Sequence, residues 1–149
     1  MTEVLFYELG RQRLEAALAG LLERCLERGW RAVVQATSGE RVDALDAHLW
    51  SYRDDSFLAH GTAATGHAGH QPVYLSSRAD NPNGAVVQFL VDDAEIGDIS
   101  GYRRVVYLFN GNDAEDRELA RARWSAVSSA GHDVTYWKQD EDGRWVKRG

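Results

Sequence analysis

The stretch EVLFYELGRQRLEAALAGLLERCLERGWRAVVQA, Glu3 to Ala36, decides the fold. Glu3 to Leu9 is rich in β-branched and aromatic side chains and is closed by Gly10, which predicts a strand. From Arg11 the period changes. Leu14, Leu18, Leu21, Leu22 and Cys25 recur at helical spacing, and the helix is expected to stop at Gly29, behind Arg24 and Arg28. Trp30 to Ala36 (WRAVVQA) is then a short, nearly continuous apolar run, the pattern of a strand buried on both faces.

The same alternation continues outward. Ser38, two residues before Glu40, is read as the cap of a second helix, with Val42, Leu45, Leu49 and Trp50 on one stripe. Gly61 to Gln71 (GTAATGHAGHQ) reads as a small-residue loop. Pro72 to Ser76, Ala85 to Val91 and Arg104 to Phe109 read as strands, with turn chemistry at Asn81-Pro82-Asn83-Gly84 and an acidic, solvated loop from Asp92 to Asp98. Asn110-Gly111-Asn112-Asp113 turns the chain into a third helix, Ala114 to Ala130, ended by Gly131. Asp133 to Lys138 and Arg144 to Lys147 form a closing strand pair. Strands alternating with three helices predict an α/β, three-layer (Rossmann-like) fold: a mostly parallel sheet flanked by helices, right-handed crossovers, and an antiparallel C-terminal edge.

Composition agrees with one folded domain over residues 1–149. The chain is 44% hydrophobic and 27% charged, with two prolines, no internal repeat and no linker-like stretch, which excludes collagen-like and disordered classes. No apolar run approaches the roughly 20 residues that cross a bilayer. The acidic N-terminus is unlike a secretory leader, so a cytoplasmic location is expected. A single cysteine forms neither an internal disulfide nor a four-thiolate zinc site. With a net charge of −6, any anionic partner must meet a local basic patch.

Enzyme signatures are missing. Glu8 to Arg13 carries one glycine where a dinucleotide fingerprint has three, and His67 and Ala68 stand where a phosphate loop after Gly61 and Gly66 needs Lys and Ser or Thr. His60, His67 and His70 lack a rigid support and a nearby carboxylate, so they read as loop histidines rather than metal ligands. Cys25 lies on an apolar stripe and reads as core, and Ser38 as a cap rather than a nucleophile. No cofactor is implied. An α/β enzyme acting on a nucleotide or with a metal stays open as the alternative.

The third helix carries the chemistry that is visible. Arg117 and Arg121 are four apart, and Trp124, Ser125 and Ser128 continue their stripe. Leu119, Ala122, Ala126 and Ala130 are expected to face the sheet. Two guanidiniums one turn apart form an anion clamp, and Trp124 offers apolar contact area beside it. The competing reading is a solvated face with the tryptophan folded into the core. Trp50 and Phe57 supply more aromatic surface than a helix-to-loop junction needs. If that junction lies beside the third helix, an aromatic pocket with an arginine rim results, suited to an acidic peptide with a terminal aromatic residue and free carboxylate.

At these residues the chain resembles the chi subunit family of bacterial DNA polymerase III. The matching stretches are FYEL (Phe6 to Leu9), LLERCLERGWRAVV (Leu21 to Val34), LDAHLWSYRDDSFLAHG (Leu45 to Gly61), QPVYLS (Gln71 to Ser76), NGAVVQFLVD (Asn83 to Asp92) and ARARWSAVSSAGHDVTYWKQ (Ala120 to Gln139). The resemblance implies a non-catalytic accessory subunit of the clamp-loader assembly in DNA replication. Such a subunit grips the acidic C-terminal tail of single-stranded-DNA-binding protein, reaches DNA through that partner, and pairs with psi. It implies tail-binding roles for Arg117, Arg121 and Trp124, and for the pocket aromatics Trp50 and Phe57. Ser125 and Ser128 stand where relatives carry further basic residues, so the expected clamp is weaker and more salt-sensitive, or is helped by Arg123 or Lys138. Residues from about 138 onward are a C-terminal extension on this comparison.

Overall fold

The computed structural model describes residues 2–10, 12–51, 60–62, 69, 71–142 and 144–148, with only the backbone described at 50 and 51. Strand β1 (Glu3–Leu9) alternates strictly: Val4 and Phe6 turn to one face of the sheet, Tyr7 and Leu9 to the other. Helix α1 (Leu14–Glu27) buries Ala17, Leu18, Leu21, Leu22 and Cys25, the stripe its period demands, and the chain leaves it through Gly29 at φ 75°. Strand β2 (Ala32–Gln35) is buried on both faces. Ser38 Oγ accepts the Arg41 N–H (3.2 Å) and caps α2 (Gly39–Ser51), as its position predicts.

Three further strands follow, β3 (Gly61–Thr62), β4 (Val73–Ser76) and β5 (Val87–Leu90), and then β6 (Arg104–Asn110), α3 (Ala114–Ser129), β7 (Asp133–Gln139) and β8 (Trp145–Lys147). The sheet runs β3-β4-β2-β5-β6-β1-β7-β8, parallel throughout except for the last pair. The α/β class, the mostly parallel sheet and the antiparallel C-terminal pair therefore match expectation. Residues 61 and 62 do not: they form a short edge strand on β4 rather than loop. Two residues are too few to show a strand period, so pairing alone defines β3.

Strand order explains the layers. From β1 to β2 and from β2 to β3 the chain moves one way across the sheet; from β6 to β7 it moves the other way. Right-handed crossovers then put α1 and α2 on one face and α3 on the opposite face. The two cores follow this division. Leu18, Leu22, Leu45 and Leu49 pack with Val34, Leu75, Phe89 and Leu108, while Ala120 and Val127 of α3 pack with Phe6, Leu90, Tyr107 and Phe109.

The acidic loop is braced at its start, while Glu95 and Asp98 are exposed as expected. Arg41 pairs with Asp92 (2.8 Å), and Arg123 Nη1 donates to the carbonyls of Asp93 (2.7 Å) and Ala94 (2.9 Å) and to the Tyr107 hydroxyl (2.8 Å). These contacts hold Asp92 and Asp93 at φ 54° and 63°, a region non-glycine residues seldom enter.

Candidate functional site

Asp113 caps α3 by accepting the N–H groups of Glu115 (2.9 Å) and Asp116 (3.2 Å). The turn before it depends on Gly111, where a Cβ would lie 2.8 Å from the Leu9 carbonyl oxygen and closer still to the Glu8 side chain. Only glycine lets β1 and this turn approach so closely. The turn sets the height and rotation of α3 over the ends of β1, β6 and β7, where a ligand crevice in a parallel sheet belongs.

That rotation differs from the expected one. Ala120 and Val127 are the buried residues of α3, and Trp124 packs with them, whereas Ala122, Ala126 and Ala130 are exposed and Leu119 is half-buried. Alanine is nearly silent in a hydrophobic pattern. Phe6, whose ring centroid lies 5.4 Å from that of Trp124, and Tyr136, at 5.8 Å, decide which side turns inward.

Arg117, Arg121, Trp124 and Ser125 thereby line one cleft of about 510 Å3 with Phe6, Glu8, Phe109 and Tyr136. The strands supply its floor. Phe6 stands opposite Tyr136, and Glu8 opposite Phe109 on one side and Lys138 on the other. Glu8 is 8% exposed; it accepts the Tyr136 hydroxyl proton and lies 3.3 Å from Lys138 Nζ. Burial, and after it the Glu8 carboxylate, push the Tyr136 phenol far above its ordinary value, so it stays a donor. The one carboxylate in the floor is thus engaged locally. Arg117 folds back to the Gly111 carbonyl (2.7 Å) and keeps further donors, while Arg121 is exposed and has no hydrogen bond or ion pair among the described residues. The arrangement offers ring-lined apolar space with two guanidiniums at its rim.

The structure brings Arg117, Arg121 and Trp124 together. It places Trp50 elsewhere: the residue belongs to α2, which lies on the opposite face of the sheet and neighbours β3, β4 and α1. Crossover handedness is the reason, and the ring walls of this cleft come instead from Phe6, Phe109 and Tyr136. Phe57 lies outside the described residues. The strand residues were missed because a strand face reads only as core until the strand order is known. Arg123, expected as a substitute cation, is spent on the Asp93 loop, and Lys138 on Glu8.

The other candidates take structural places. Cys25 is buried, and burial pushes its thiol up, away from a reactive thiolate. His60, expected as a loop histidine without a nearby carboxylate, is instead 3% exposed with Nε2 3.0 Å from Asp46 Oδ1, because folding brings α2 against it; His67 and His70 lie outside the described residues. Among the described residues no three His, Cys, Asp or Glu side chains are placed to hold a metal ion, and no helix is long and apolar enough to cross a membrane.

Comparison with known proteins gives two findings. The family model described as DNA polymerase III chi subunit, HolC, matches residues 1–135. The chain is also 24% identical over 109 residues to the probable DNA polymerase III subunit chi of Rickettsia prowazekii (strain Madrid E). That alignment covers 73% of this chain and 66% of the relative, so the chain spans just under two thirds of the relative's length. The match takes in β1, α1 and the whole of α3, and the chain belongs to the family of DNA polymerase III chi subunits.

Proposed function

We propose that the chain is a non-catalytic accessory subunit, acting in the cytoplasm, whose α3 cleft grips the acidic C-terminal tail of single-stranded-DNA-binding protein. Through psi it links that protein to the clamp loader, and through the tail it is held near DNA. The single observation that carries this reading is Arg121. An exposed guanidinium with no partner among the described residues stands at the mouth of a ring-lined cleft, one helical turn from Arg117. The tail's terminal aromatic side chain enters among Phe6, Phe109, Trp124 and Tyr136, and its carboxylates meet the two arginines. Trp50, on the α2 layer, is not assigned to this cleft.

Ser125 in the lining adds no charge, so binding depends on two cations and falls with salt. Titration of a fluorescent acidic peptide ending in Pro-Phe tests the reading. Arg121→Ala weakens binding about ten- to hundredfold, the range for a charge-assisted hydrogen bond, and deleting the terminal Phe abolishes it. Binding indifferent to both changes refutes the site.

A further inference from the structure

On the α1 face, across the sheet from the α3 cleft, two clefts meet end to end. One of about 500 Å3 runs between α1 and the closing strands, past Tyr7, Gly20, Arg24, Trp137, Arg144 and Trp145. The other, of about 100 Å3, passes Arg28, Trp30 and Arg104. They share Tyr7, Leu21 and Arg24, and so form one groove along the 14 residues of α1. At 1.5 Å per residue that is about 21 Å.

The groove has the charge of an anion site. No carboxylate lines either part among the described residues. At one end three guanidiniums converge on the Trp30 ring, Arg28 and Arg103 at 5.0 Å from its centroid and Arg104 at 5.2 Å. Arg104 is paired with Glu3 (2.7 Å), but Arg24, Arg28, Arg103 and Arg144 pair with no carboxylate among the described residues. In a chain of net charge −6, such a gathering of like charge raises the electrostatic free energy unless an anion offsets it. In the turn beside Arg144, Asp140 Oδ1 is occupied by the backbone N–H groups of Asp142 (3.0 Å) and Arg144 (2.9 Å).

The other end is aromatic. β7 and β8 extend the sheet past β1, and the pleat places Tyr7, Trp137 and Trp145 on the α1 side. Trp145 stacks on Tyr7 (centroids 4.6 Å apart, 26° between planes), and Trp137 meets Tyr7 edge-on at 6.1 Å. Trp137, Arg144 and Trp145 all lie beyond residue 135, where the family match ends.

We infer that this groove binds single-stranded nucleic acid directly, its arginines tracking phosphates and its indole rings stacking bases. Clustered guanidiniums at one end, indole rings at the other and Arg24 between them suit a repeating chain of phosphates and bases. An acidic peptide anchored by one terminal residue needs a single ring-lined pocket instead, and a duplex hides its base faces from stacking.

The test is fluorescence anisotropy of a labelled oligo(dT) of roughly 15 nucleotides, near the upper site size of a compact single-strand binder, titrated with the full chain at low salt. Saturable binding is expected. For four phosphate contacts its log–log salt slope is about −3, a loss of about 50-fold between 50 and 200 mM salt. The double variant Arg24→Glu/Arg144→Glu, exposed at both positions, loses more than tenfold in affinity with an unchanged melting temperature. Trp145→Ala loses at least fivefold, about what one stacked base contributes. Absence of binding at 50 mM salt overturns the inference. So does loss of binding in Arg121→Glu with retention in the double variant, equal affinity for duplex, or a glutamate-rich peptide that binds this groove more tightly than the oligonucleotide.

Discussion

Asp116, in the first turn of α3 and next to Arg117, is predicted to make the stability of the protein fall as pH rises from about 4 to about 6. Burial first, then a hydrogen bond with Asp93 and the charges of Asp93 and Asp113, push its carboxyl from the ordinary 3.8 up to about 6. The folded state therefore binds a proton that the unfolded chain releases at lower pH. The stabilisation is complete below the unfolded value and is lost as pH rises through the folded one. The full difference corresponds to about 3 kcal/mol; water reaching this partly exposed carboxyl screens it to about 1 kcal/mol.

Asp116→Asn keeps an amide able to hydrogen-bond Asp93 but does not ionise. Urea unfolding of both proteins between pH 4 and 7 reads the effect. The parent chain is expected to lose about 1 kcal/mol more than the variant across that range. Exchanging a carboxyl for an amide in the hydrogen bond to Asp93 displaces the whole variant curve by a pH-independent amount, so the slope is diagnostic and the level is not. Parallel curves refute the reasoning. They would mean that the folded state does not hold the Asp116 carboxyl protonated beside Asp93.

Two further outcomes follow from local geometry. Tyr136→Phe leaves the 8%-exposed Glu8 carboxylate with Lys138 as its partner; urea unfolding should show a loss of about 1–3 kcal/mol, and no loss would mean that the phenol does not support that charge. Gly20 lies inside α1, and a Cβ there meets nothing within 4 Å, so Gly20→Ala should stabilise by about 0.5–1 kcal/mol; destabilisation in the same assay would show that the groove wall is tighter than the structure has it.

Local chemistry accounts for what could be read in advance. β1 spans Glu3–Leu9 as its alternation and closing glycine indicate, Ser38 caps α2, and Cys25 joins the core on the stripe to which its spacing assigns it. Each depends on neighbours within a few residues along the chain. The facing of α3 does not. Its alanines lie on several sides, and Phe6 and Tyr136, remote in the chain, select Trp124, Ala120 and Val127 as the buried set. Arg123 looks in sequence like Arg117 and Arg121; its position one turn from Ala120 and Val127 points it at the Asp93 carbonyl.

The amino-acid order by itself determined the elements other than β3, and the Arg117–Arg121–Trp124 stripe, because backbone conformation, capping and periodicity are short-range effects. Tertiary structure alone decided that α2 and α3 lie on opposite sides of the sheet, that strand residues wall the cleft, and that Trp137 and Trp145 come to lie along α1. The physical reason is strand order. A right-handed crossover sends a helix to one face or the other according to the direction in which the chain crosses the sheet, and that direction is set by pairing between residues far apart in the chain.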